Sequence, residues 1–171
     1  MIFSEPKEGD TRYADVETPI GIVRLVAKAG RLVRVILPGD EPPQSEPGLK
    51  IDHLELESPL EGAALYLERY FEGERVKWAG DLPPGCSPFQ RLVWRATAEI
   101  PFGSTVSYGE LARRVGKPGA ARAVGGAMAA NPLPILIPCH RVIASDGDPC
   151  GYGGGPELKR RLLSHEGVII R

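Results

Sequence analysis

A thiol, an imidazole and a guanidinium occupy consecutive positions at Cys139, His140 and Arg141, immediately after Pro138 and the apolar run Ile135 to Ile137. A cysteine attacks as its thiolate, which requires a pKa of about 8.5 to be lowered by a base or by cationic surroundings. His140 and Arg141 are both of the right type. Adjacent side chains of an extended chain point to opposite faces, so Cys139 and His140 can communicate only across a turn or through a water. A nucleophile and base pair usually needs a third group to orient the base, and Glu166, beside His165, is the candidate. On these residues alone, a buried structural thiol beside a surface histidine stays open. The remaining His and Cys residues show no ligand spacing, so no metal and no cofactor are expected.

Several elements must position these groups. From Gly21 to Leu37, two runs rich in Val, Ile and Leu flank Lys28, Ala29, Gly30 and Arg31, which reads as a β-hairpin. The segment from Pro38 to Gly48 is rich in proline and acidic residues and reads as an exposed loop. Ser58, Pro59 and Glu61 form a helix start, followed by Leu60, Ala63, Ala64, Leu67, Tyr70 and Phe71 at helical spacing, with Gly73 as the stop. Ser87, Pro88 and Gln90 repeat that signal ahead of Phe89, Leu92, Val93 and Ala96. Ser107 with Glu110 starts a helix to about Val115, stopped by Gly116, and a second helix spans about Gly119 to Ala130. Two short helices joined by a glycine-containing turn make a helix-turn-helix candidate. The run Ile135 to Ile137 reads as a short apolar strand, and Gly151 to Gly155 as a loop suited to lie over a pocket.

The second of those helices is unusual in size, because Arg122 stands almost alone among Gly119, Ala120, Ala121, Ala123, Gly125, Gly126, Ala127, Ala129 and Ala130. Two internal glycines cost about 1 kcal/mol each relative to alanine, so close approach to another surface should offset them. That surface is either a packed helix or a narrow groove, and the DNA minor groove is only about 6 Å wide.

With 171 residues, 42% hydrophobic and 25% charged, the chain is neither disordered nor collagen-like. Its net charge of −1 alone argues against nucleic acid. Residues 1–85, however, carry 10 basic and 16 acidic side chains, and residues 86–171 carry 11 and 6. The cationic surplus lies in the half that holds the Cys–His–Arg run. The sign changes at the proline-rich stretch Asp81 to Pro88, where a domain boundary is expected: residues 1–80, a linker at 81–87, and residues 88–171. Three cysteines at no disulfide spacing, no secretory signal and no apolar run long enough for a bilayer predict a cytoplasmic protein without membrane contact.

Taken together, Phe89 Gln90, Val93 Trp94, Ile100 Pro101 with Gly103, Ser107 Tyr108, Arg122 to Gly125, Asn131 Pro132, Pro138 to Val142, and Leu162 Leu163 with Glu166 Gly167 resemble the O6-alkylguanine-DNA alkyltransferases. The likeness runs from about Pro88 to Gly167 in order; the N-terminal half matches only through Thr18 Pro19, Gly21 and the hairpin. The resemblance implies an α/β N-terminal domain, ribonuclease-H-like, with a small antiparallel sheet plus helix. It implies a mainly α C-terminal domain containing a helix-turn-helix for the minor groove of double-stranded DNA. Cys139 is then the alkyl acceptor, His140 its activator through a water, and Glu166 the group that orients His140. Tyr108 is the hydroxyl that donates to a flipped base, Arg122 the finger that fills the vacated stack, and Asn131 the hinge between the DNA-binding helix and the reactive segment. Ala121, Ala123, Gly125 and Arg141 are expected at the DNA with Arg122 and Tyr108. Pro134, Cys150, Tyr152 and Gly153 are expected around the alkylated guanine.

The implied chemistry is a single displacement on the alkyl carbon of guanine O6, with O4-alkylthymine left open as a second substrate. The resulting thioether is a poor leaving group, so each molecule acts once. A monomer in solution is expected, with cooperativity on DNA left open. Relatives with an N-terminal zinc site are not matched, since that half offers only His53 and Cys86. Gly153 stands where many relatives have serine, and Cys150 where they often have glycine, which predicts poorer acceptance of bulky groups such as benzyl. Three other readings compete: a non-catalytic sensor of alkylated bases, disfavoured by the presence of Cys139; a cysteine hydrolase, which lacks an oxyanion-hole signal; and a helix-turn-helix regulator that uses its arginines only for DNA.

Overall fold

The computed structural model describes residues 11–40, 49–50, 58–149 and 151–169. Strands β1 (Thr11–Thr18), β2 (Gly21–Lys28) and β3 (Arg31–Ile36) form an antiparallel meander, and the short β4 (Leu49–Lys50) adds to β1 in parallel, giving the order β3-β2-β1-β4. The expected hairpin is β2–β3. Its turn places Ala29 at φ 49° and Gly30 at φ 69°. Two successive residues with positive φ are what a two-residue hairpin needs to match the right-handed strand twist.

Alternation along β2 sends Val23, Leu25 and Ala27 into the core and leaves Arg24 on the opposite face. There Arg24 pairs with Asp15, directly across on β1, at 2.7 Å, and covers the Tyr13 ring at 4.1 Å. Helix α1 (Pro59–Phe71) begins where expected: Ser58 Oγ accepts the Glu61 N–H, with proline in the first turn. Its stripe of Leu60, Ala63, Ala64, Leu67 and Tyr70 is buried with the sheet.

The described residues after α1 are mainly helical. Helix α2 (Pro88–Ala98) carries a complete capping box between Ser87 and Gln90, and α3 (Tyr108–Arg114) is capped by Ser107. Helix α4 (Ala121–Ala129) follows α3 after a turn with Gly116 and Gly119 at positive φ, starting two residues later than the sequence suggests. Trp94 Nε1 of α2 donates to Ala127 O of α4 at 2.8 Å, which fixes that pair. Strand β5 (Val106–Ser107) pairs in parallel with β6 (Val142–Ile143), so the start of α3 lies beside the segment that carries Cys139. Helix α5 (Gly155–His165) closes the structure. Buried residues of the sheet, α1 and the later helices form one contiguous cluster.

Strand β1, the two-residue strands β4, β5 and β6, and helix α5 lie beyond the sequence expectations, and one expectation is corrected. Ile135 to Ile137 is a tight turn, not a strand: Ile135 has φ 71°, and Ile137 N–H donates to Leu133 O at 2.8 Å. All three side chains are buried, whereas a strand would send the middle one to the opposite face. The turn satisfies three burials at once. The loop expected from Pro38 to Gly48 lies outside the described residues beyond Asp40.

Leu67 is fully buried at the centre of α1's stripe. Leu67→Ala should lower unfolding free energy by about 2–5 kcal/mol, read as a fall in the urea midpoint at unchanged slope; a loss below about 1 kcal/mol would contradict this packing.

Candidate active site

Cys139, His140 and Arg141 form a single 3-10 turn entered through Pro138, with Cys139 N–H on Ile137 O at 2.7 Å and Arg141 N–H on Pro138 O at 2.9 Å. At three residues per turn, successive side chains leave the axis about 120° apart. That removes the opposite-face difficulty of an extended chain. All three residues are buried, Cys139 retaining 7% exposure.

The centre of the site is Glu166, which caps the C-terminus of α5. Its Oε1 accepts from His140 Nε2 at 2.6 Å, from Tyr70 Oη at 2.9 Å, and from Arg141 Nη2 and Nε at 3.0 and 3.1 Å. Its Oε2 accepts from Gly103 N–H and Arg141 Nε, each at 2.9 Å. Gly103 adopts φ 77°, and a Cβ there would meet Glu166 O at 3.0 Å, which explains a glycine after Ile100 and Pro101. Arg141 Nη1 donates to Ile100 O at 2.6 Å.

Burial would raise the Glu166 carboxyl, but hydrogen bonds and charge from His140 and Arg141 outweigh it and pull the group down to about 2. The carboxylate is therefore ionised, and His140 Nε2 is the donor in their hydrogen bond. Burial lowers His140 below its ordinary value, against the raising effect of Glu166. Its imidazole is held neutral, with the lone pair on Nδ1. Among the described residues no protein group bonds that buried Nδ1. Burial raises the Cys139 thiol, while the Asn131 side chain, the Lys159 charge and two backbone N–H groups act in the opposite direction.

Asn131 is placed as a clamp. Its Nδ2 donates to Ile137 O at 2.9 Å and its Oδ1 accepts from Leu133 N–H at 3.0 Å, closing the turn that leads to Cys139. Tyr108 sits at the start of α3 between α4 and the 151–154 loop: a Cβ at Gly125 would lie 3.9 Å from its ring and one at Gly151 3.8 Å from its hydroxyl. Tyr152 lies close enough to Cys139 and Tyr70 for both to shift its hydroxyl, whose pKa is raised chiefly by burial. Pro134 is half-buried in the clamped turn and Gly153 is exposed, whereas Cys150 lies outside the described residues.

On α4, Val124, Ala127 and Met128 face inward; Arg122, Ala123 and Gly126 are exposed, and Ala121 and Gly125 partly so. One expected DNA contact is corrected here. Arg141 is 3% exposed, with its guanidinium taken up by Glu166 and Ile100 O, so no face of it is free for a phosphate.

Two residues of the site escaped the sequence reading. Lys159 is fully buried, donating to Val142 O at 2.6 Å with its ammonium 6.0 Å from the Tyr108 ring centre. A lysine four residues before Leu163 and seven before Glu166, on the buried stripe of α5, was the available signal. Tyr70 is the other: spacing reveals its burial on α1 but not the partner of its hydroxyl.

Both members of the acidic pair bind fewer protons folded than unfolded, so their contribution is complete at neutral pH and is lost on acidification. It should begin to fall as pH drops below 6.5 for His140, and fall further from 4.5 toward about 2 for Glu166. Glu166→Gln leaves Arg141 buried without its counter-charge, and should cost about 3–5 kcal/mol at pH 7. Urea unfolding of both proteins from pH 8 to about pH 2 checks this, and a variant as acid-sensitive and as stable as the parent would contradict it.

Among the described residues no helix is long and apolar enough to cross a membrane, and no three His, Cys, Asp or Glu side chains gather as a metal site. Residues 88–168 match the family model described as the DNA-binding domain of 6-O-methylguanine DNA methyltransferase. The chain is 42% identical over 90% of its length to a methylated-DNA–protein-cysteine methyltransferase of Mycolicibacterium paratuberculosis, covering 91% of that protein. It is 39% identical to one of Methanosarcina acetivorans, covering 91% of this chain and 97% of the other. The fold is similar to that of Mycobacterium tuberculosis O6-methylguanine methyltransferase, with TM-score 0.79 and 38% identity over 91% of this chain and 92% of the other. A structure of Mycobacterium tuberculosis OGT in complex with DNA gives TM-score 0.76 at the same identity and coverage. Likeness of this extent, over both the strand-rich and the helical parts, establishes that the chain belongs to the methylated-DNA–protein-cysteine methyltransferase family.

Proposed function

We propose that the protein flips O6-alkylguanine out of duplex DNA and moves the alkyl group irreversibly to its own Cys139. The observation that carries this reading is the buried His140–Glu166 bond, which commits Nε2 as a donor and leaves Nδ1 as an open base on the residue next to Cys139. His140 Nδ1 takes the Cys139 proton through a water. Sγ then attacks the alkyl carbon as the carbon–O6 bond breaks. The electrons left on the base are neutralised by a proton from the Tyr108 hydroxyl, so guanine departs neutral. Burial keeps the thiol protonated at rest, so the thiolate forms only as the base enters. The product is a thioether, a poor leaving group. Each molecule reacts once.

Binding through the minor groove of double-stranded DNA fits the exposed face of α4, where small residues surround Arg122. Extruding a base costs a few kcal/mol, and an inserted guanidinium restores part of the lost stacking. In this reading α3 and α4 form a helix-turn-helix, residues 88–171 form the DNA-binding and transfer domain, and residues 1–80 form a ribonuclease-H-like domain joined through 81–87. The protein acts as a cytoplasmic monomer, and its cationic surface follows Arg122 rather than the buried Arg141.

Intact-protein mass spectrometry after incubation with an O6-methylguanine duplex should show one added methyl per protein, mapped to Cys139 and absent from Cys86 and Cys150. Cys139→Ser should abolish transfer and keep DNA binding. Turnover beyond one equivalent, or methylation elsewhere, would overturn the reading. Arg122→Ala should slow transfer from duplex by about 10-fold or more while transfer from the free base changes little; equal slowing of both would remove Arg122 from the role of stacking finger.

A further inference from the structure

The mechanism just proposed uses only residues after position 88, yet the carboxylate that orients His140 is also held from the other half of the chain. Tyr70 is fully buried near the C-terminal end of α1, wedged among the rings of Phe71, Phe102 and His165. Phenylalanine would fill that wedge without carrying a hydroxyl into it. The hydroxyl has one proton to donate, and the 2.9 Å contact gives it to Glu166 Oε1. The Tyr70 hydroxyl oxygen is 3.4 Å from His140 Nε2, and the tyrosine and imidazole rings meet edge-on at 6.2 Å.

We propose that Tyr70 is a positioning residue for alkyl transfer: its hydroxyl shares Glu166 Oε1 with His140 Nε2–H and sets how strongly the carboxylate holds the imidazole proton. A carboxylate oxygen that already receives a hydroxyl proton is a weaker acceptor for a second donor and stabilises an imidazolium less. With Tyr70 in place, His140 stays neutral at lower pH and is free to take the thiol proton. The inference rests on the reading of His140 as general base, and it makes the sheet-bearing half of the chain part of the reactive centre. The charged and titratable groups facing His140 are Glu166 and Lys159 from α5, Cys139 and Arg141 from its own turn, and Tyr70 from α1. Tyr66 of α1 stands behind Tyr70, and Tyr152 of the 151–154 loop faces Cys139 and Tyr70. Among the described residues, Tyr70 alone combines a hydroxyl with direct contact to both members of the pair.

The test compares the parent, Tyr70→Phe and a protein carrying 3,5-difluorotyrosine at position 70, whose more acidic hydroxyl donates more strongly. Leu67→Ala serves as a control that destabilises the same helix without touching Glu166. The His140 titration is followed by ring nitrogen NMR without DNA, and the acid limb of single-turnover methyl transfer is measured alongside. Tyr70→Phe should move both midpoints up by about 0.5–1 pH unit, the fluorinated protein should move them down, and Leu67→Ala should leave them in place. His140 midpoints that coincide in all four proteins would overturn the inference, as would a shift of equal size in Leu67→Ala. If Tyr70→Phe does not fold, the fluorinated protein decides alone. A displaced His140 titration in proteins that transfer no methyl would sink the functional reading and leave only the control of His140 by Tyr70 standing.

Discussion

An ionised carboxylate without access to water is stable only if the protein replaces the whole of its hydration shell. Glu166 has this done by groups from separate parts of the chain: a tyrosine of the sheet-packed helix, a backbone N–H of the loop after α2, and the imidazole and guanidinium of the Cys139 turn. Each donor is useless unless the element bearing it arrives in place, so the charge acts as a test of the assembled fold. Arg141 supplies most of the compensation. Its Nε spans both carboxylate oxygens and its Nη1 secures the Ile100 carbonyl, so the guanidinium cannot pivot.

That constraint explains why the segment before Cys139 is built as it is. Placing His140 and Arg141 on the same carboxylate requires a helical step rather than an extended one, and the 3-10 turn provides it. The turn is short and has no side-chain cap, so its geometry must be imposed from upstream. Asn131 does so with both ends of its amide, and Val35 N–H of β3 donates to Pro132 O at 2.8 Å, anchoring the start of the segment to the sheet. The positive φ of Ile135, costly for a β-branched residue, is tolerated because both flanks are held in this way.

What was readable in the sequence follows the range of the interaction concerned. Ser58, Ser87 and Ser107 announce their helices because a cap acts within three residues. Cys139, His140 and Glu166 are legible as a reactive set by residue type, and the structure brings His140 and Glu166 together. The Ile135 to Ile137 run misleads because apolar composition reports burial and says nothing of backbone path. Arg141 misleads likewise, since a cationic side chain is presumed to face solvent until its buried partner is known. Tyr70 and Lys159 were hidden for a common reason: each lies on a stripe that periodicity explains as core, and only the three-dimensional neighbours of the polar atom separate packing from chemistry.

The same connections join the surface that would meet DNA to the site of transfer. Helix α4 is pinned to α2 by the Trp94 bond to Ala127 O, two residues before its last residue, and the chain passes directly from there into the Asn131 clamp and on to Cys139. The path from Arg122 to the thiol is held at Ala127 O by Trp94 and at both ends of the Asn131 amide. A displacement of α4 would therefore be carried into the turn and strain the hydrogen bonds on Glu166, which as a buried charge tolerates little loss. The rigidity that holds the carboxylate ionised thus also fixes the position of the Cys139 thiol relative to the exposed, small-residue face of α4. Burial acts on that thiol in the same sense as on any group withdrawn from water, disfavouring its charged form.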